Sequence, residues 1–169
     1  MRITSPHNPK IKRLRKLQQR RHRQQLGATL VEGWRFVREA LRSGRPVRQA
    51  VYTAAFAETP EGATLLRQLA AAGASLAEVP EAILETVALT ETPQGIVAEV
   101  AVEEPDPAGP AWWRRVAAAP LPVALLADRV QDPGNLGTLL RAAEGLGAAG
   151  AVVVPGTVDP YHPRAVRAA

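Results

Sequence analysis

The chain of 169 residues has no cysteine, which excludes disulfides, thiolate catalysis and cysteine-ligated metal. Its three histidines, His7, His22 and His162, are too scattered to form a ligand set, so no metal is expected. Aromatic residues are scarce at 4%, which leaves few candidates for base-stacking platforms. No apolar run approaches the ~18 residues that a spanning helix requires, and the N-terminus is polar rather than signal-like. A cytoplasmic protein is the expectation. What is present is apolar content of 46%, enough for one large or two small globular domains.

Acidic residues are also missing, but only at the start. Residues 1 to 25 hold nine Lys or Arg and no Asp or Glu, whereas the rest of the chain sets twelve cations against sixteen acids. Basicity is thus local, and it predicts a helical arm over residues 1–28. Asn8 is placed to cap a helix with Pro9 at its first position, and Ile11, Leu14 and Leu17 make a narrow apolar stripe. Lys10, Lys12, Arg13 and Lys16 lie around that stripe. The bland readings are a solvated helix or one lying on a membrane, but the latter needs a broader stripe with bulky aromatics. Dense Lys and Arg suit a phosphate backbone, so RNA is the expected partner.

From Thr29 to Val102 short apolar runs alternate with helical patterns, which predicts an α/β sandwich over residues 29–102. Strands are expected at 30–31, 49–53, 75–79 and 96–102, and helices at 34–43, 61–72 and 81–88. On the first of these helices Val37, Ala40 and Leu41 face a core and leave Arg35, Arg38 and Arg42 outward, a possible extension of the basic surface. Trp34 reads as a packing residue. Residues 103–122 carry five prolines and read as a semi-rigid linker, with Trp112 and Trp113 docking a short helix.

The stretch from Val123 to Pro155 is the most informative. Val123 to Ala127 is an apolar run suited to a strand buried on both faces, and Asp132-Pro133-Gly134-Asn135 is turn chemistry. Leu136, Leu139, Leu140, Ala143 and Leu146 follow near helical spacing, and Ala151 to Val154 reads as a second strand. One βαβ unit results, with parallel strands and the Asp132–Asn135 loop at the carboxyl edge of the sheet, where such sheets bind ligands. Gly134 and Gly137 allow another backbone or a ligand to come close, and Asn135 is positioned as an N-cap. Arg141, one turn beyond Gly137, leans back toward the loop, where a forked cation suits a phosphate or a developing oxyanion. The loop lacks the Lys-Ser or Lys-Thr of a P-loop and the G-x-G-x-x-G spacing of dinucleotide folds. On residues alone, capping by Asn135 and solvation of Arg141 remain the alternatives.

VQDPGNLGTLLRAAEGLGAAGAVVVP resembles the first motif of the SpoU (TrmH) branch of the SPOUT RNA methyltransferases. Asp132, Pro133, Gly134, Asn135, Gly137, Arg141 and Gly147 carry the likeness. ITSPHNPKIKRLRKL, LVEGWRFVREAL and TPQGIVAEV are similar to the substrate-binding part of its two-domain members. The resemblance implies methyl transfer from S-adenosylmethionine to a ribose 2′-hydroxyl of rRNA or tRNA. It also implies an α/β/α RNA-binding domain followed by a Rossmann-like α/β-knot domain beginning at 123. Arg141 and Asn135 are then the catalytic candidates, Asp132, Pro133, Gly134 and Gly137 the loop formers, and Arg164 and Arg167 a basic stretch toward RNA. The family's arginine commonly works across a homodimer interface. Two further motifs that build the knot and the cofactor pocket are not found, so the chain is expected to be an incomplete fragment whose cofactor residues cannot be named. An RNA-binding module without catalysis is the alternative, and a dinucleotide oxidoreductase is disfavoured because Val154-Pro155 ends the second strand without an acid.

Overall fold

A computed structural model describes residues 1–102 and 109–169 of the chain, which divides into two units, Met1–Val102 and residues 103–169. The first six residues of the expected linker, 103–108, lie outside the described residues.

The first unit opens with helices α1 (Pro9–Lys16) and α2 (Arg20–Leu26). Asn8 caps α1 by accepting a hydrogen bond from the Lys10 amide at 2.9 Å, and Pro9 takes the first helical position, where its missing N–H costs nothing. The stripe of Ile11, Leu14 and Leu17 is completely buried. Residues 1–28 are therefore not a separate arm. An apolar residue at every third position gives α1 a face to bury, and that face joins Ile3, Leu30, Val51, Val97 and others in one core cluster. Arg23, in the same basic run, is also buried, and its guanidinium donates to the Leu17 and Gln18 carbonyls at the end of α1.

There follow β1 (Ala28–Glu32), α3 (Trp34–Arg42), β2 (Val47–Tyr52), α4 (Ala54–Glu58), α5 (Pro60–Ala71), β3 (Ser75–Glu78), α6 (Glu81–Glu85) and β4 (Ile96–Ala101). The sheet order is β1-β4-β2-β3; β4 is antiparallel to both neighbours, and β2 and β3 are parallel. Alternation along the strands divides the core. Leu30, Val51, Ala77 and Val97 join the cluster built on α1 and α6, while Val37 of α3 and Leu65 and Leu69 of α5 are buried outside it. This is the α/β/α sandwich expected from the sequence, with element ends displaced by a few residues.

The second unit contains α7 (Pro110–Ala117), β5 (Ala124–Ala127), α8 (Pro133–Gly145), β6 (Gly150–Val153) and α9 (Pro163–Ala168). β5 and β6 pair in parallel, so the βαβ crossover forms as its hydrophobic spacing predicts. The short helix expected within residues 103–122 forms at Pro110–Ala117, with Pro110 at the first helical position and Trp112 and Val116 buried, Trp112 against Gly150, while Trp113 is exposed. One expectation changes. β5 is not covered on both faces: Leu126 is 65% exposed, since among the described residues this sheet has two strands and nothing lies over that side chain.

Candidate functional site

The motif loop leads directly into α8. Asp132 and not Asn135 is its N-cap: the Asp132 carboxylate accepts from the Asn135 amide at 2.8 Å, and Pro133 opens the helix. An acidic residue directly before a proline carries both cap and first-turn signals, which makes it the stronger start. Asn135 is freed from capping and is exposed at the third helical position. Arg141 is exposed two turns further on, with no hydrogen bond or salt bridge to any of the described residues.

The glycines of the loop have different roles. A Cβ on Gly137 would stand 2.3 Å from the Ala165 carbonyl oxygen and 2.7 Å from the Ala168 Cβ, so this glycine is where α8 and α9 touch. The close approach it permits is by backbone. Gly134 meets only the Asp132 carboxylate, at 3.0 Å. With ~100° between successive residues of a helix, Asn135 and Arg141 project about 120° apart, whereas Arg141 shares its side with Gly134, Gly137 and Thr138. The two catalytic candidates thus flank α8 on separate faces. Arg164 and Arg167 are exposed on α9, whose Ala165 is buried.

In the first unit, Lys12 and Lys16 are exposed one turn apart on the outer side of α1. Lys10 is tied to the Ser75 hydroxyl at 2.6 Å. Arg13 donates from Nε and Nη2 to Glu99, at 2.8 and 2.6 Å, so much of its hydrogen-bonding capacity serves the fold. Glu99 is completely buried and also accepts from Gln49 at 2.7 Å and Arg48 at 3.4 Å. Burial alone would push its carboxyl up, but the bonds from Arg13, Gln49 and Arg48 outweigh this and hold it below the usual carboxylate range. Arg13 is in turn pushed up by its bond to Glu99. No spacing pattern announces this network, because its members lie far apart along the chain.

Arg35 is exposed, and it is part of a stack that spacing alone did not identify. The guanidinium carbons of Arg35 and Arg38 lie 5.4 and 4.6 Å from the centre of the Trp34 ring. The i, i+4 relation of Trp34 to Arg38 was the available signal. Glu32 proves to be a loop anchor: buried at the end of β1, it accepts from the Leu89 amide and the Thr90 hydroxyl. Among the described residues no group of His, Cys, Asp or Glu could hold a metal, and no helix is long and apolar enough to cross a membrane.

Comparison with known proteins agrees with this division. Residues 8–98 match the MRM3-like substrate binding domain, and residues 122–169 match the SpoU rRNA Methylase family. A Synechocystis protein described as an uncharacterized tRNA/rRNA methyltransferase is 34% identical over 98% of this chain and 57% of its own length. A 23S rRNA guanosine 2′-O-methyltransferase of Bacillus subtilis is 32% identical, over 99% of this chain and 60% of its own. The crystal structure of an AdoMet-bound rRNA methyltransferase from Sinorhizobium meliloti superposes with a TM-score of 0.82 at 30% identity, covering 99% of this chain and 59% of that one. The chain therefore spans a little under two thirds of the length of these relatives. With both parts matched in the same order, the chain belongs to the SpoU methylase family, in the form that carries an MRM3-like substrate-binding domain ahead of the methylase segment.

Proposed function

We propose that the chain serves an S-adenosylmethionine-dependent RNA ribose 2′-O-methyltransferase, supplying its RNA-holding unit and its first catalytic motif. The observation that carries this reading is Arg141, a cation on the motif helix that is exposed and unengaged by the described residues. A ribose 2′-hydroxyl becomes a good nucleophile only as its proton leaves. A guanidinium that stabilises the resulting alkoxide, or holds the adjacent phosphate, lowers that barrier. Asn135 is available to orient substrate from the other side of α8. The exposed cations Lys12, Lys16, Arg35, Arg164 and Arg167 supply charge for a phosphate backbone, with Lys10 and Arg13 contributing what their internal bonds leave free.

S-adenosylmethionine enters from the relatives, one of which is described with AdoMet bound. The residues here do not by themselves fit it. Asp128, Arg129, Gln131, Asp132 and Asn135 are all exposed, so the loop gives at most one wall of an enclosed nucleoside site. A cytoplasmic homodimer acting on rRNA or tRNA, with Arg141 reaching a neighbouring protomer's site, is part of the same proposal.

The test joins this chain to the remaining C-terminal portion of the Bacillus relative and measures methyl incorporation into 23S rRNA. Arg141→Ala is expected to abolish incorporation while leaving RNA affinity within about two-fold, as removal of a transition-state contact should. Unchanged turnover would remove Arg141 from the site. Calorimetry with S-adenosylmethionine separates the alternative, a non-catalytic RNA-binding module, which predicts no cofactor heat even from the joined protein.

A further inference from the structure

The first unit has an open hollow of about 380 Å³, within the ~300–1,000 Å³ typical of small-ligand sites. Trp34, Phe56 and Pro93 give it apolar walls, and Gln94, Glu61 and Glu81 bring polar groups to its lining. Three features shape it. Gly33, at φ 92°, turns the chain from β1 into α3 and leaves room for the Gln94 side chain, whose Oε1 would lie 2.8 Å from a Cβ there. Glu32 pins the start of the loop that carries Pro93 and Gln94 by holding Leu89 and Thr90. Arg35 and Arg38 stack on Trp34, and the Nε–H of Arg38 is buried without a hydrogen-bond partner among the described residues.

We infer that this hollow receives an unstacked RNA base, with the Arg35–Trp34–Arg38 stack as its platform and cationic flank. The inference rests on the RNA reading above and locates a contact within it. Single-stranded bases are held on aromatic rings and by arginines beside them; here Trp34 lines the hollow, and the Arg35 and Arg38 guanidinium groups lie over its ring. Glu61 and Glu81 argue against a phosphate inside the hollow, since carboxylates repel it. They instead accept hydrogen bonds from an exocyclic amino group, which adenine, guanine and cytosine possess and uracil lacks. Arg35 and Arg42, exposed along α3, carry positive charge away from the hollow to where the flanking phosphates would run.

The test measures binding of 23S rRNA and of labelled oligo(A), oligo(C) and oligo(U) hexanucleotides to the 169-residue chain. Trp34→Ala and Arg35→Ala should weaken rRNA binding about ten-fold or more, in line with the loss of one stacked base. Oligo(A) and oligo(C) should bind ahead of oligo(U), and Glu81→Gln should narrow that preference. Should Trp34→Ala fail to fold, Arg35→Ala and Gln94→Ala, both at exposed positions, decide the matter. Binding of rRNA unchanged in the folded variants overturns the base pocket while leaving the RNA reading intact. Failure of the unaltered chain to bind any of the RNAs removes the RNA reading, and this inference with it.

Discussion

In the first unit every residue of β1 and β4 is buried, and two sets of helices line opposite faces of a four-stranded sheet. In the second unit β6 is only half-buried along its length, and Val123, Leu126, Leu139 and Leu146 are 51%, 65%, 41% and 78% exposed. Both are α/β and both have apolar strands, yet only the first encloses its own sheet. Stability in the first unit should follow side-chain volume in a filled interior. In the second it should follow a few close contacts, α8 on α9 and Trp112 on Gly150. The apolar side chains left over in the second unit form a surface and contribute little to its folding.

The largest effect that would break this contrast is in α1. Leu14→Ala removes a completely buried side chain, and a cost of about 2–5 kcal/mol is expected. Urea unfolding followed by far-ultraviolet circular dichroism measures it. A loss under 1 kcal/mol would mean that α1 is a loosely attached arm after all, and the charge-based reading of residues 1–28 would be restored.

Gly137→Ala asks the same of the second unit. The added methyl would meet a backbone carbonyl, which cannot turn aside as a flexible side chain can, so α9 must shift. Overpacking of this kind costs about 1–3 kcal/mol. Gly134→Ala, with only the Asp132 carboxylate nearby, should be much milder. Hydrogen exchange of the α9 amides distinguishes the two, and equal protection in both variants would contradict the close helix contact.

Acid should separate the units again, by a smaller amount. Because Glu99 titrates below the usual carboxylate range when folded, its contribution is present above the unfolded carboxyl pKa and fades as pH falls through the folded value. Arg13 stays charged throughout, so the direction is set by Glu99. Arg13→Ala should cost about 1 kcal/mol at neutral pH, the discount for a side chain that is 40% exposed and for the bonds that Arg48 and Gln49 retain. It should also flatten the acid dependence of the first unit's unfolding. An unaltered acid limb in that variant would place the sensitive carboxyl elsewhere.

Periodicity made the sandwich legible. Ile11, Leu14 and Leu17, the alternating strands and the βαβ crossover all record one-dimensional spacings that translate directly into faces. Charge is a poorer guide. Nine cations in the first 25 residues predict a basic arm for RNA, but Arg23 and Arg13 are bound into the fold by partners that sequence spacing does not reveal, 86 residues away in the case of Arg13 and Glu99. Asn135 reads as the cap because it directly precedes the apolar run. Asp132-Pro133 is the better start, since proline's fixed φ belongs at the first helical position. Arg141 could be placed on its helix from the sequence, but its separation from Asn135 around that helix emerges only once the helix start is known. The hollow beside Trp34 was not legible at all, because its walls come from four separate segments.

The smallest predicted effect tests the exposed surface itself. Leu139, Leu146 and Asn135 fall on one side of α8, and Leu146, at 78% exposure, has little packing to lose. Leu146→Ser should therefore change unfolding free energy by no more than about 0.5 kcal/mol, the range of ordinary surface substitutions. Serine is a poorer helix former than leucine, and near the end of α8, beside Gly145 and Gly147, that difference is small. The same substitution should lower any tendency of the chain to self-associate, because it removes the most exposed apolar side chain in the second unit. Sedimentation across a concentration series reads the second effect and urea titration the first. A loss of 2 kcal/mol or more with no change in association would show that Leu146 is packed inside the unit, and the contrast between a closed and an open sheet would fail at that residue.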